Sequence, residues 1–478
     1  LNLDGETLLS LGVDPANSTP DKRNDVDHPK RGLLGSAALA DIDLDGRIEI
    51  IVAALDGFLY VWKGDDGSVQ PGFPLEVRAD VSSGELQARG ELIYTPAVAN
   101  LDGDPQLEIV TGSSDVISDD PAPPSSPPPV TGGSGAIAQW FLENSGAAGR
   151  TRVYAYDTDG SLLSGWPVSM TGLLPDILPF VGPQHGVAVA DFDEDGIDEV
   201  IASMTTGDVV RISADGSLSS FPSEGAINGG ASSEPAKILN LFEASVIGDL
   251  DGAGGLDVVH QGISISGAVN LIAVGQNQPQ NHVIQAWDGG DAPRYLTGFP
   301  TAHDDFGLLS QPIVADVNGD GVNDVVAGSG LYLVQAYDGS TGMPVDGFPK
   351  QTGGWLYAVP AVGDVDGDGF LNLVGGSREG WRFVWDLAAA ATPATNSQWW
   401  TESHDEHRSN RYQTDARPPS RVQQLRHANG TLGFLAAGDD WKVGAAAHYE
   451  VRTLDRPILN AEDWAAAVSL PMISGGVL

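Results

Sequence analysis

The sequence predicts an all-β chain whose main body is a β-propeller, with six blades as the first reading and seven as the alternative. An incomplete immunoglobulin-like β-sandwich follows it. Three observations predict this. An acidic nine-residue pattern recurs six times along 478 residues, starting at 41, 100, 191, 249, 316 and 364, so that successive starts are separated by 59, 91, 58, 67 and 48 residues by subtraction. Each copy is preceded by a short apolar run, such as Ala97-Val98-Ala99 or Ile313-Val314-Ala315, and is followed by a Val/Ile-rich run and then an alternating strand. Several units close on Gly72-Phe73-Pro74, Gly165-Trp166-Pro167, Gly298-Phe299-Pro300 or Gly347-Phe348-Pro349. Repeats of this length, each with about four short strands, are the signature of propeller blades.

Taken in order, residues 1–386 form the propeller. Its first segment contains Leu3-Asp4-Gly5-Glu6-Thr7-Leu8-Leu9, which reads like the blade ending Thr158-Asp159-Gly160-Ser161-Leu162-Leu163. It is expected to complete the last blade beside Phe383-Val384-Trp385, because closure removes a free sheet edge. The second repeat is interrupted at about 113–150 by a Pro-rich and Gly-rich insertion, since Pro cannot pair in a ladder. A second insertion, roughly 263–281, separates the central strands of the fourth repeat, whereas the third repeat is minimal. Residues 387–417 read as a linker and a capping segment. Its aromatics Trp399, Trp400 and Tyr412 are placed to cap the ring, and His404 and His407 have a spacing that a transition metal accepts.

The acidic loops carry the chemistry. In the first, Asp41, Asp43 and Asp45 alternate, Gly46 follows, and Glu49 stands at position nine. Hydrophobic packing does not require such a pattern, and the charges repel unless a cation sits among them. Ca²⁺ takes six to eight hard oxygens in flexible geometry, and glycine supplies the sharp bend. The further copies are Asn100, Asp102, Asp104 and Glu108, with Pro105 in the glycine position; Asp191, Asp193, Asp195 and Glu199; Asp316, Asn318, Asp320 and Asp324; and Asp364, Asp366, Asp368 and Asn372. A weak copy, Asp249, Asp251 and Asp257, has Ala253 at position five and is expected to bind poorly. About five Ca²⁺ sites are therefore expected, each loop forming the tip of a β-hairpin. With flanks and Gly-Phe-Pro endings, residues 35–385 resemble the FG-GAP/VCBS repeats of integrin-α-like calcium-binding β-propellers. That resemblance implies an extracellular or cell-surface adhesive or binding module, of secreted bacterial type.

Composition bounds the rest. The formal net charge is −41, and five Ca²⁺ would leave it at roughly −31, which argues against nucleic acid and anionic membrane as partners. There is no cysteine, hence no disulfide and no thiolate site. No apolar run is long enough to span a membrane. With no initiator Met and no leader at Leu1, the sequence is expected to begin after processing or within a longer chain.

From 418 to 478 the pattern resembles the first half of a bacterial fibronectin type III domain, with no strand expected after about residue 470. A sandwich needs both sheets, so Val422, Leu425, Leu432, Phe434, Tyr449 and Val451 are expected to be covered by further chain, by self-assembly or by a strand-donating partner. No Gly-x-Ser-x-Gly elbow, His-Glu-x-x-His or phosphate loop occurs, and no catalytic residue is assigned. The function expected is a calcium-stabilised structural, adhesive or partner-binding module with a protein or glycan ligand. The alternatives are the non-catalytic C-terminal region of a secreted hydrolase and a carbohydrate-binding or polysaccharide-acting propeller.

Overall fold

The computed structural model describes residues 33–77, 90–91, 95–116, 149–171, 186–264 and 282–412, with short breaks, and 423–474 in part. Six antiparallel sheets follow one another along the chain. Their innermost strands are Ala38–Ala40, Ala97–Ala99, Ala188–Ala190, Val246–Gly248, Ile313–Ala315 and Ala361–Gly363. Each pairs with the strand after its acidic loop in one register: Ala40 faces Glu49, Ala99 faces Glu108, Ala190 faces Glu199, Gly248 faces Asp257, Ala315 faces Asp324 and Gly363 faces Asn372. The chain is thus an all-β propeller with six blades among the described residues.

The core sits between blades rather than within a single sheet. Ala38, Ile51, Leu59 and Val61 of blade one pack with Val98, Ile109, Tyr154 and Tyr156 of blade two. Equivalent clusters join blades two and three, blades three to five, and blades five and six. Small residues end the inner strands because neighbours crowd there: a Cβ on Gly248 would lie 2.7 Å from Val314 Cγ1. Glycine in three of the Gly-aromatic-Pro endings, at Gly72, Gly165 and Gly298, serves the same close approach. Gly298 has φ +84°, and a Cβ there would lie 1.7 Å from the Thr341 carbonyl oxygen of the next blade. Gly298→Ala is therefore expected to cost roughly 2–4 kcal/mol, read as a shift of the chemical-denaturation midpoint.

Both insertions prove narrower than expected, because the hairpins that carry them are longer. In blade two the ladder continues to Val116 opposite Gly149, so the excursion spans 117–148. In blade four Ile263 pairs with His282, and the strand Asp257–Ser264 runs into the region read as insertion. Extra strands, Gly90–Glu91 and Ala236–Leu239, line these two long hairpins. The last blade has three paired strands among the described residues. The expected closing strand at residues 3–9 lies outside them.

The capping segment does more than cover the ring. An inner strand has a partner on one edge only, and its free N–H groups face the axis and need acceptors. One stretch of chain supplies them. Val314 N donates to Trp399 O, Val362 N to Trp400 O, Leu39 N to His407 O, Val98 N to Ser409 O and Val189 N to Asn410 O, all at 2.8–3.1 Å. Residues 398–412 thus thread the axis and touch the inner strands of blades five, six, one, two and three. Ser403, His404, Arg408 and Asn410 adopt positive φ to do so, a conformation that persists only where surroundings impose it. His404 is fully buried, with its ring edge-on to Trp399 and Tyr412 and its Nδ1 3.0 Å from Asp405 Oδ2. Among the described residues, His404 and His407 join no group of three metal-ligating side chains.

In the C-terminal region three short ladders are present: Gln423–Ala428 with Thr431–Leu435, His448–Tyr449 with Ile473–Ser474, and Arg452–Thr453 with Val468–Ser469. Strand Ile473–Ser474 corrects the expectation that none follows residue 470. It pairs backward in sequence, where hydrophobic alternation over two residues gives no signal. Apart from half-buried Val451, the apolar face expected here lies outside the described side chains.

Candidate metal centres

The six acidic loops share one hydrogen-bonded frame. Position nine anchors it: its carboxyl or amide oxygen accepts the N–H of position two in every loop, from Ile42 to Glu49, Leu101 to Glu108, Phe192 to Glu199, Leu250 to Asp257, Val317 to Asp324 and Val365 to Asn372. In loops one, three, five and six position one accepts from the glycine at position six, as Gly46 N does to Asp41 Oδ2 at 2.9 Å and Gly196 N to Asp191 Oδ2 at 2.8 Å. Position three accepts from the N–H of position five, and position five from that of position seven. In loop one these bonds leave Asp41 Oδ1 and Glu49 Oε1 without a donor, whereas in loops three, five and six both oxygens of position one accept backbone N–H groups.

Two left-handed residues produce the curl. Position six is a glycine at φ 85–91° in five loops, and Pro105 replaces it in loop two without that conformation. Position four is the second, occupied by Gly103, Gly252, Gly319 and Gly367 but by Leu44 and Glu194 in loops one and three, both near φ 58–59°. The glycine spacing at position six revealed the first of these. The second was missed, although four glycines at position four were there to be read.

Carboxylate oxygens converge to within 4.8 Å of one another for Asp41, Asp43 and Asp45; for Asp102, Asp104 and Glu108; for Asp191, Asp193 and Asp195; for Asp249, Asp251 and Asp257; and for Asp364, Asp366 and Asp368. The weak copy is therefore as closely drawn together as the others, despite Ala253. In loop five Asn318 intervenes, and its amide Nδ2 lies 3.1 Å from Asp320 Oδ2. Asn100 bonds Gly103 N and the Gly196 carbonyl, and Asn372 bonds Val365 N and Asp386. Both amides thus hold the frame through their single oxygen.

The donor set fits a hard cation. Asp41 Oδ1, Glu49 Oε1, Glu108 Oε1, Asp249 Oδ1 and Asp324 Oδ1 are buried with no hydrogen-bond partner. A buried carboxylate oxygen without a donor is costly unless it is protonated or meets a cation. Burial accordingly pushes Glu49, Glu108, Glu199 and Asp257 up to about 7 and Asp324 up to about 8, with the neighbouring loop carboxylates adding to the rise. Ca²⁺, if bound here, would supply the missing charge and join inner to second strand; Asp102, Asp104 and Glu108 would hold it in loop two, and Asp191, Asp193 and Asp195 in loop three.

Neighbouring loops also touch at three of the junctions. Leu107 N donates to Ile42 O, and Asn323 Nδ2 to Asp249 O. Between loops two and three the link is Asp198, a buried acid at position eight that sequence reasoning passed over. It accepts Asn100 N at 2.7 Å and is held by Arg411 of the axial segment, with Nε at 2.6 Å and Nη2 at 3.3 Å.

No protein-family model matches this chain, and no curated protein matches it. Among solved structures, it aligns with the V. cholerae biofilm matrix protein Bap1 at 13% identity and a TM-score of 0.30, over 82% of this chain and 94% of that one. It also aligns with the Dos1 propeller at 11% identity and TM-score 0.40, covering 90% of this chain and 84% of the other. A quinohemoprotein alcohol dehydrogenase from Comamonas testosteroni gives 14% identity and TM-score 0.38, over 71% of this chain and 55% of that enzyme. At these values the sheet topology above, not the likeness, carries the fold assignment.

Proposed function

We propose that this chain is an extracellular, calcium-stabilised propeller of the FG-GAP/VCBS kind that serves as a structural or partner-binding module at a cell surface. The observation that carries this reading is the position-nine acid. Glu108 and Asp324 are at most 1% exposed, anchor the loop backbone through one oxygen, and keep a second, buried oxygen without a hydrogen-bond donor. Ca²⁺ loops range from tight cytosolic buffers to weak extracellular modules, and the weak kind fills where free Ca²⁺ is high, as it is outside cells. The filled axis favours recognition through the outer surface over chemistry in a central channel. The long hairpins of blades two and four, on the face opposite the acidic loops, are where a protein or glycan ligand would meet the propeller.

Equilibrium dialysis of the full chain against radioactive Ca²⁺ tests the reading. Saturable binding of several ions per chain is expected, with Asp193→Asn removing one. A chain that takes up no Ca²⁺ above its non-specific background would sink the proposal.

A further inference from the structure

Lys63 lies where the first acidic loop would hold its metal. Its ammonium is 2.8 Å from Asp45 Oδ2, 3.2 Å from Asp43 Oδ2 and 3.9 Å from Glu49 Oε1, with the lysine side chain only 19% exposed. Gln70 Nε2 adds a further donor to Asp43 at 3.1 Å. Lys63 stands directly across the ladder from Glu49. At the same register in blades four, five and six the chain places Asp288, Asp338 and Asp386. One blade therefore carries an ammonium where three others carry a carboxylate.

We propose that the first loop is neutralised by the chain's own Lys63 ammonium rather than by a metal ion, so that calcium is taken up at later loops and not between Asp41 and Glu49. This rests on the calcium reading above and refines it. A divalent ion entering loop one would have to displace Nζ from two oxygens, Asp43 Oδ2 and Asp45 Oδ2, and would then sit beside a positive charge tethered by the same strand. Like charges at such distances repel strongly where water is partly excluded. The arrangement also has a use. Blade one adjoins the junction with blade six, which no hydrophobic cluster spans among the described residues. A lysine-filled loop keeps that blade folded whether or not Ca²⁺ is present.

Two measurements on the full chain test this. In Ca²⁺ titration, the Asp43→Asn/Asp45→Asn double variant is expected to bind as many ions as the parent, Asp193→Asn/Asp195→Asn to bind one fewer, and Lys63→Met to bind one more. Loss of one ion in the Asp43/Asp45 variant, with no gain in Lys63→Met, overturns the proposal. Acetic anhydride labelling followed by peptide mass analysis gives a readout that does not depend on calcium occupancy. Lys63 is expected to react slowly and equally in excess Ca²⁺ and in EGTA, and severalfold faster once Asp43 and Asp45 are neutralised. Fast labelling of Lys63 in Ca²⁺ would show that metal expels it and refute the proposal. A parent chain that binds no Ca²⁺ would refute the calcium reading, while the labelling rates still decide whether Lys63 holds the loop.

Discussion

Trp399→Ala is expected to lower stability by about 3–5 kcal/mol, and deletion of residues 398–412 to abolish the single cooperative unfolding transition. Trp399 is fully buried in the largest cluster, among Val246, Ile247, Val314 and Tyr412. Its removal leaves a cavity at the axis that six rigid sheets cannot collapse to fill. Deleting the whole segment is worse, because five inner-strand N–H groups lose their acceptors at once. Each unsatisfied group costs about 1–3 kcal/mol if water cannot replace the partner. The buried Asp198 would also lose Arg411, and breaking a buried pair from one side costs about 3–5 kcal/mol. The segment is the described link between Val362 of blade six and Leu39 of blade one, so the ring should open there first. Hydrogen exchange can locate the failure: amides of blades six and one should exchange before those of blades two to five. A deletion variant that melts as one unit near the parental temperature would show that the axial segment only fills space.

Most of the architecture was legible because repetition multiplies weak signals. A single Asp-x-Asp-x-Asp-Gly run is ambiguous, but six runs with shared flanks fix strand order, register and the identity of position nine. The same comparison across copies would have exposed Lys63, which departs from the Asp of Asp288, Asp338 and Asp386, and glycine at position four. Asp198 departs in the same way, since no other loop has an acid at position eight, but its partner Arg411 lies more than 200 residues away and leaves no mark in the repeat. The axial path of Trp399 to Tyr412 was legible only as a cap. Its function depends on carbonyls of residues such as His407 and Ser409 meeting strands more than 200 residues away, and backbone acceptors leave no mark in side-chain patterns. The hairpin extensions to Val116 and Ser264 were hidden for a related reason: polar Ser113, Ser114 and Asp115 look like loop, yet ladder bonds need no side chain.

Excess EGTA at pH 8 is expected to lower the melting temperature by on the order of 20 °C, taking four occupied loops, free Ca²⁺ about 100 times Kd, ~2.7 kcal/mol for each, and ~2 °C per kcal/mol for a chain of this size. Complete removal of Ca²⁺ before the melt should do far less at pH 5. Without metal, Glu108, Glu199 and Asp257 titrate at about 7 and Asp324 at about 8 in the fold, against ordinary values of 4.5 for Glu and 3.8 for Asp. An acid whose folded value is raised binds more protons folded than unfolded, so its contribution is fully present below the ordinary value and is lost as pH rises through the folded one. The metal-free protein should therefore lose stability between about pH 4.5 and 8. Calcium needs these groups deprotonated, so its stabilisation should grow over the same window. Melting curves from pH 5 to 8, with added Ca²⁺ and after Ca²⁺ has been stripped at pH 8 and the protein exchanged into metal-free buffer, should converge at the acid end and separate steadily above pH 6. Parallel curves would remove the position-nine acids from the metal sites, because a ligand that must shed a proton to bind cannot leave calcium affinity independent of pH.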